Sequence, residues 1–379
     1  MKIVQISTFS PFLLGGQEAV VYHLSKELEK NGHEVTIIAS SIDAKAKTDL
    51  VEFDTVHIPS FRFNSRLIIP KKLDTIRRLI NDAEIVHVHS PDASFAFELA
   101  LLSKAMRKPI VTSVLSYFDS FKHPFLPMKF LAFPIEMSLS VLAKISEAVH
   151  VKNIGDYAKL SRLCDDVAYI PDGIPDSFFE LPKNPSLFNK KFGITDEKIV
   201  LYVGRLHPLK GPQILVRSLK YLVNKESKIL LVIAGPGMDY RRHLENLSKK
   251  LGLEKHVIFT GILSEEEKIS AYDAANVVVV PSCNDLVEAF SLVASEAWAR
   301  GKPVVASDIG ALRYRVVPEK NGCLAEPNDP RDLAEKILKA LELKVTKIPD
   351  DVCSWKVVAK NFEQLYENVI ASKRNPFKL

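Results

Sequence analysis

Short apolar runs and segments of helical period alternate along almost the whole chain. In the first half the runs fall at residues 2–7 (KIVQIS), 34–39, 84–89 (EIVHVH), 109–114, 148–151 and 167–170. In the second half they are IVLYV, KILLVIA, HVIFTG, VVVVP and KPVVAS. The segments between them are amphipathic. From Gln17, for example, Val20, Val21, Leu24 and Leu28 recur at helical spacing, and Asn31-Gly32 supplies a stop. Buried strands alternating with helices predict parallel sheets covered on both faces, an α/β protein of doubly wound, Rossmann-like design.

At 379 residues the chain exceeds one ordinary core and suits two such domains. A polar stretch rich in turn formers and lysine, PKNPSLFNKKFGITDEK, reads as the linker region. The expected division is 1–178, joined by a final helix at about 360–379, and 179–359. Hydrophobic residues make up 47% and charged residues 26%, the composition of a globular protein. A net charge of +5 without a clustered basic stripe argues against nucleic acid as a partner. The cysteines at 164, 283, 323 and 353 lack metal or disulfide spacing. No apolar run reaches the roughly 18 residues of a membrane span, and the amino-terminal run is too brief for a signal peptide. A cytoplasmic location is the expectation.

Two loops carry the candidate chemistry. One follows IVLYV and contains Gly204, Arg205, Lys210 and Gly211, with Pro212 opening a helix. Arg205 offers a planar fork suited to phosphate oxygens and Lys210 a point charge. The other follows VVVVP and runs through EAFSLVASE, residues 288–296. A helix starting near Phe290 would turn the amides of Phe290, Ser291, Leu292 and Val293 toward the crevice at the sheet's carboxyl end, where anions bind. Glu288 and Glu296 flank that start. Carboxylates repel phosphate but accept hydrogen bonds from hydroxyls on either side of it, the layout of a nucleotide-diphospho-sugar. Standing alone, the two glutamates would read as solvated helix charge.

These segments resemble family 4 glycosyltransferases. EAFSLVASEAWARGKPVVAS is similar to the family's E-G-F-G-L-V-x-x-E-A-M-A-x-G-x-P-V-V-A element, and VGRLHPLKG to its V-G-R-L-x-x-x-K-G element. GGQE, PDGIPD and the run from IAGPG to VVVVPS also match, so the likeness covers almost the entire chain. It implies the GT-B architecture: two facing Rossmann-like doubly wound domains, with a carboxyl-terminal helix crossing back to the first. The second domain would hold the donor and the first the acceptor, and closure would exclude water. Arg205 and Lys210 would neutralise the donor diphosphate, Glu288 would bind sugar hydroxyls, and the Ile262-Leu263 backbone would seat the base. Gly15 and Gly16, with Gly204, would lie along the donor phosphates. The resemblance further implies transfer with retention and no cofactor besides the donor. The chain contains no Asp-x-Asp pair, which favours a metal-independent site.

Departures from the pattern fall at the sugar and acceptor ends. Ala289 and Ser291 stand where the family mostly has glycine, adding β-carbons near the donor sugar. The histidine that many members carry after the strand at 109–114 is absent, with Leu115 in that setting. His89, Asp119 or His123 could stand in; His89 is the candidate for an acceptor contact, against the plainer reading of a satisfied structural histidine. The acceptor would be a glycan or a lipid-linked sugar. FRFNSRLIIPKKLDTIRR and FKHPFLPMKFLAFPI combine bases with large apolar residues, a composition that suits either a core-packing helix or peripheral contact with an anionic membrane. Two rival functions use the same features: a nucleotide-sugar epimerase, and a catalytically silent subunit that binds a sugar nucleotide.

Overall fold

The computed structural model describes residues 1–11, 16–42, 54–63, 67–89, 94–114, 126–285 and 288–374, with the backbone alone at 17, 126–135 and 374. The chain divides into two compact units, Met1–Gly173 with Trp355–Leu379, and Ile174–Ser354. The sequence places these joints at 178 and 359.

The first unit is built on β1 (Lys2–Ser7), β2 (Glu34–Ser40), β3 (Asp54–Ile58), β4 (Ser60–Arg62), β5 (Ile68–Pro70), β6 (Ile85–His89), β7 (Ile110–Val114), β8 (Ala148–Val151) and β9 (Val167–Tyr169). Seven of them form one parallel sheet in the order β3-β2-β1-β6-β7-β8-β9. Because the strands are covered on both faces, most of their positions are buried whichever way they point. β4 and β5 form a separate antiparallel ribbon. Strands β3, β4 and β5 fall in a stretch whose apolar residues are broken up by charge, so periodicity does not announce them.

The helix Trp355–Arg374 packs on this first unit through a polar seam. Tyr366 OH bonds His87 Nδ1 (2.7 Å), His87 Nε2 meets Ser113 Oγ (2.6 Å), Ser113 Oγ meets His150 Nδ1 (2.7 Å), and His150 Nε2 meets the Ile170 carbonyl (2.7 Å). A carbonyl can only accept, so His150 donates from Nε2, Ser113 donates to His150, His87 donates to Ser113, and Tyr366 donates to His87. In this direction both imidazoles are neutral, each donating from Nε2 and accepting at Nδ1. Phe362 lies against both rings, at 5.1 and 4.7 Å between centroids.

The second unit contains β10 (Lys198–Val203), β11 (Ile229–Ala234), β12 (Val257–Gly261), β13 (Val277–Val280), β14 (Val304–Ser307) and β15 (Gly322–Ala325). They form a parallel sheet in the order β12-β11-β10-β13-β14-β15. The order reverses between β10 and β13, and in such sheets the crevice past the carboxyl ends at that reversal is where ligands bind. Apolar cores lie on each face, one containing Trp298, Tyr272 and Phe188, the other Leu215, Leu219 and Ile337. Buried Arg300 ties the entry segment to this unit, pairing bidentately with Asp273 and donating to the carbonyls of Phe178 and Leu181.

Candidate active site

The loops after β10 and β13 meet at that reversal, and Gly211 is what lets them. It adopts φ +71°, and a β-carbon there would lie 1.8 Å from the Pro281 carbonyl oxygen. No other residue fits both restrictions. The Cys283 N–H donates to the Leu209 carbonyl (2.9 Å), closing the contact.

This approach puts the two charged residues of the sequence pattern in direct contact. Lys210 Nζ donates to Glu288 Oε1 at 2.7 Å, and Ser282 Oγ donates to the same oxygen at 2.6 Å. Glu288 is 3% exposed. Its Oε2 has no hydrogen-bond partner among the described residues and can accept a further hydrogen bond. The Glu288 backbone is held as well: its carbonyl accepts from Ala311 N–H (2.9 Å), and a β-carbon on Gly310 would come within 2.3 Å of that oxygen. Arg205 is exposed on the same loop as Lys210, with its carbonyl bonded by Tyr202 OH (2.8 Å). Gly204 precedes it at the end of β10.

The helix after β13 spans Leu292–Ala299, beginning two residues later than the sequence suggests. The free amides of its first turn are therefore those of Leu292, Val293 and Ala294, whereas Phe290 lies before the helix with its ring buried. Arg315 fixes this entry. It stacks 3.8 Å over the Phe290 ring, donates to the carbonyls of Phe290 (2.7 Å) and Ser291 (3.2 Å), and pairs bidentately with Asp351. The second glutamate, Glu296, is buried and gripped from the helix Glu265–Ala274. Lys268 Nζ donates to Oε1 (2.8 Å) and Tyr272 OH to Oε2 (2.6 Å). Burial, with the neighbouring Glu296 charge, raises the Tyr272 phenol well above its ordinary value and keeps it a donor. Each carboxylate oxygen retains a further lone pair, enough for a vicinal diol.

Ser291 explains why the pattern favours glycine at its position. It caps the helix at φ +73°, ψ +85°, left-handed backbone, and its Oγ is shielded from solvent with no partner among the described residues. Strain of about 1–2 kcal/mol is expected for a side chain there. Ser291→Gly is expected to stabilise the second unit by about 0.5–1 kcal/mol, after allowing for glycine's unfolded-state entropy, and to raise its melting temperature by about 2 °C. An unchanged or lower melting temperature would count against the strain. Ala289 carries no such penalty; its φ is not positive.

The remaining candidates are scattered. Ile262 and Leu263 follow β12, with the Ile262 side chain exposed. Gly16 opens the helix Gly16–Lys30 of the first unit, with open space where a β-carbon would go. Gly15, Leu115, Asp119 and His123 lie outside the described residues, as do residues 121–125, while 126–135 are described by backbone alone, within the helix Leu126–Ile145. His89 does not serve as an acceptor contact as placed. It is buried, its Nε2 is bonded to Gln5 Oε1 (2.7 Å), and its ring lies 3.9 Å from that of His87. Burial, with further contributions from His150 and Lys152, lowers it to about 3. Sequence reasoning did not single out Ser282, Lys268, Tyr272, Arg315 or Asp351, although the first three lie within the run from IAGPG to VVVVPS that matches the family pattern.

Comparison with known proteins agrees with this fold. Residues 185–352 match the Glycosyl transferases group 1 family and residues 14–149 match Glycosyltransferase Family 4. An uncharacterised glycosyltransferase of Methanocaldococcus jannaschii, MJ1607, is 28% identical over 97% of this chain and 98% of its own. Among solved structures, sucrose-phosphate synthase of Thermosynechococcus elongatus superposes with a TM-score of 0.74 at 24% identity, covering 98% of this chain and 100% of that one. Anabaena Alr3699/HepE in complex with UDP-glucose gives 0.71 at 18% identity, covering all of both chains. The chain belongs to the group 1, family 4 glycosyltransferases, enzymes of the EC 2.4 class on the GT-B fold.

Proposed function

We propose that the enzyme transfers a sugar from a nucleotide-diphospho-sugar to an acceptor hydroxyl, with retention of anomeric configuration and without a metal ion. The observation that carries this reading is the Lys210–Glu288 contact at the sheet reversal, with Glu288 Oε2 open beside it. An ammonium and a helix start suit a diphosphate, while a fixed carboxylate suits sugar hydroxyls. Glu296 suits the ribose diol. Arg205, exposed on the same loop, adds a second cation for the leaving phosphate.

In this mechanism the bond from the anomeric carbon to the phosphate oxygen breaks while charge builds on the diphosphate. Lys210, Arg205 and the amides of Leu292, Val293 and Ala294 stabilise that charge in place. The acceptor oxygen bonds to the anomeric carbon from the face the phosphate leaves, and its proton passes to a phosphate oxygen. Glu288 orients the sugar and does not act as a glycosidase nucleophile. The acceptor, a glycan or a lipid-linked sugar, belongs to the first unit, and peripheral contact with a membrane accompanies the lipid-linked case. Among the described residues no helix is long and apolar enough to cross a membrane.

Incubation with a panel of labelled UDP-, GDP- and ADP-sugars tests the reading. Slow donor hydrolysis without acceptor is expected for one of them, insensitive to EDTA, with the released sugar or transfer product retaining its configuration by NMR. Binding of a nucleotide-sugar with no turnover under any condition would instead favour a silent subunit.

A further inference from the structure

The β4–β5 ribbon of the first unit has two unlike faces. Its cross-strand pairs are Ser60 with Pro70, Phe61 with Ile69, and Arg62 with Ile68. Ile68 is fully buried, its N–H and carbonyl both bonded to Ser94 Oγ (2.8 and 2.7 Å), so the ribbon is latched to the start of the helix Ser94–Ala105. Side chains alternate along a strand, which places Phe61 and Ile69 on the opposite face together with Phe63 and Leu67. All four are exposed, at 57%, 38%, 69% and 41%, and the Phe63 N–H donates to the Leu67 carbonyl to keep them abreast. Leu73, 43% exposed at the start of the helix Leu73–Asp82, extends the ridge.

Four large apolar side chains bared on one short ribbon, with Leu73 on the helix that follows, are not the scattered exposure of an ordinary surface. Charge surrounds them. Arg62, Lys71, Lys72, Arg77 and Arg78 are exposed around the ridge against Asp74 and Asp82, and the Lys71 ammonium lies 3.4 Å over the Phe61 ring. Aromatic and aliphatic tips rimmed by long bases match the boundary between acyl chains and anionic headgroups, where the rings sink and the bases reach phosphates. A ribbon of six paired residues is also small for a stable protein interface, which takes about 800 Å² on each partner.

We propose that the outer face of the β4–β5 ribbon docks the enzyme on an anionic lipid surface, with Phe61, Phe63, Leu67 and Ile69 inserted and the surrounding bases on the headgroups. This deepens the lipid-linked branch of the function proposed above by naming the surface and its partner. The ribbon begins one residue beyond the carboxyl end of β3 and is latched to a helix that follows β6, so it stands at the end of the sheet where ligands bind. A lipid-anchored acceptor would thus be presented at the correct edge of the first unit.

The test is flotation of the full chain with phosphatidylcholine vesicles with and without phosphatidylglycerol. Binding is expected only with phosphatidylglycerol, weakening as salt rises. Phe61→Ser with Phe63→Ser is expected to cut the bound fraction about tenfold or more, and Lys71→Glu with Lys72→Glu to remove the dependence on phosphatidylglycerol. All four positions are exposed, and an unchanged melting curve verifies that the variants fold. A wild-type protein that stays in the soluble fraction, or a Phe61/Phe63 variant that floats as well as wild type, overturns the proposal. A dimer by sedimentation with no flotation overturns it too, and assigns the ridge to a second copy of the chain. Donor hydrolysis measured in solution on the same samples separates this outcome from failure of the transferase reading: the ribbon variants should retain it whether or not they bind vesicles.

Discussion

Lys210→Ala is expected to lower kcat for donor turnover by two to three orders of magnitude, the usual cost of about 2.7–4 kcal/mol for deleting one preorganised group at a site of developing charge. The structure adds a second consequence. Glu288 is buried, and its Oε1 is shared between Lys210 and Ser282, so deleting the ammonium leaves a carboxylate with the Ser282 hydroxyl as its remaining side-chain partner among the described residues. Removing one member of a buried ion pair commonly costs about 3–5 kcal/mol. Loss of turnover in Lys210→Ala could therefore arise from a displaced loop, and the single variant does not distinguish the two. The double variant Lys210→Met with Glu288→Gln removes both charges and keeps an acceptor for Ser282. It should recover most of the stability, measured by thermal melting, and none of the turnover. Turnover near wild type in either variant would remove Lys210 from the reaction, and turnover restored together with stability would give it a structural role only.

The fold was legible wherever apolar runs were uninterrupted. The runs at 199–203, 229–234 and 277–280 could hardly be anything but buried parallel strands, and the loops after them had to open at one edge. Arg205, Lys210, Glu288 and Glu296 stood out because they follow the carboxyl ends of such strands in segments that resemble the family's motifs; standing alone they would read as surface charge. Which of them touch was not legible. The Lys210–Glu288 contact depends on Gly211 admitting the Pro281 carbonyl, a three-dimensional fit between segments 70 residues apart. Tyr272 and Lys268 read as ordinary members of a helical pattern until that helix is seen lying along Glu296. Arg315 and Asp351 share no local signal; the pair holds the Phe290 turn from outside the motif. The histidines illustrate the opposite error. Alternation along β6 correctly put His87 and His89 on one face, but the sequence could not show that this face is covered by the helix Trp355–Arg374, which turns a candidate contact into a packed ring.

That covered face also predicts where the protein fails in acid. Burial lowers His87 well below its ordinary value, with the His89 and His150 charges adding to it; burial likewise lowers His89 to about 3 and His150 to about 4. Each ring has a folded pKa below its unfolded value of about 6.5, so the folded state favours the neutral form. Their contribution to stability is complete above about pH 6.5 and is lost as pH falls toward the folded values, because the unfolded chain then binds protons that the folded chain refuses. Between pH 6.5 and pH 5 a ring with a folded pKa of about 3 or 4, as for His89 and His150, forfeits roughly 1–2 kcal/mol, and His87 shifts in the same direction, a large share of the stability of many domains. The bond direction sharpens the effect. A proton on His150 Nδ1 would force the Ser113 hydroxyl to turn round, and one on His87 Nδ1 would make the Tyr366 oxygen the acceptor and take the partner from its buried hydrogen, so the same event is expected to loosen the carboxyl-terminal helix. Pulse hydrogen exchange across a urea series at pH 7 and pH 5 should show peptides from β6, β7, β8 and the helix Trp355–Arg374 losing protection together, at a much lower urea concentration in acid. Equal midpoints at the two pH values for those peptides would mean that the imidazoles find water or counter-charge in the folded state, and that the polar seam is not sealed.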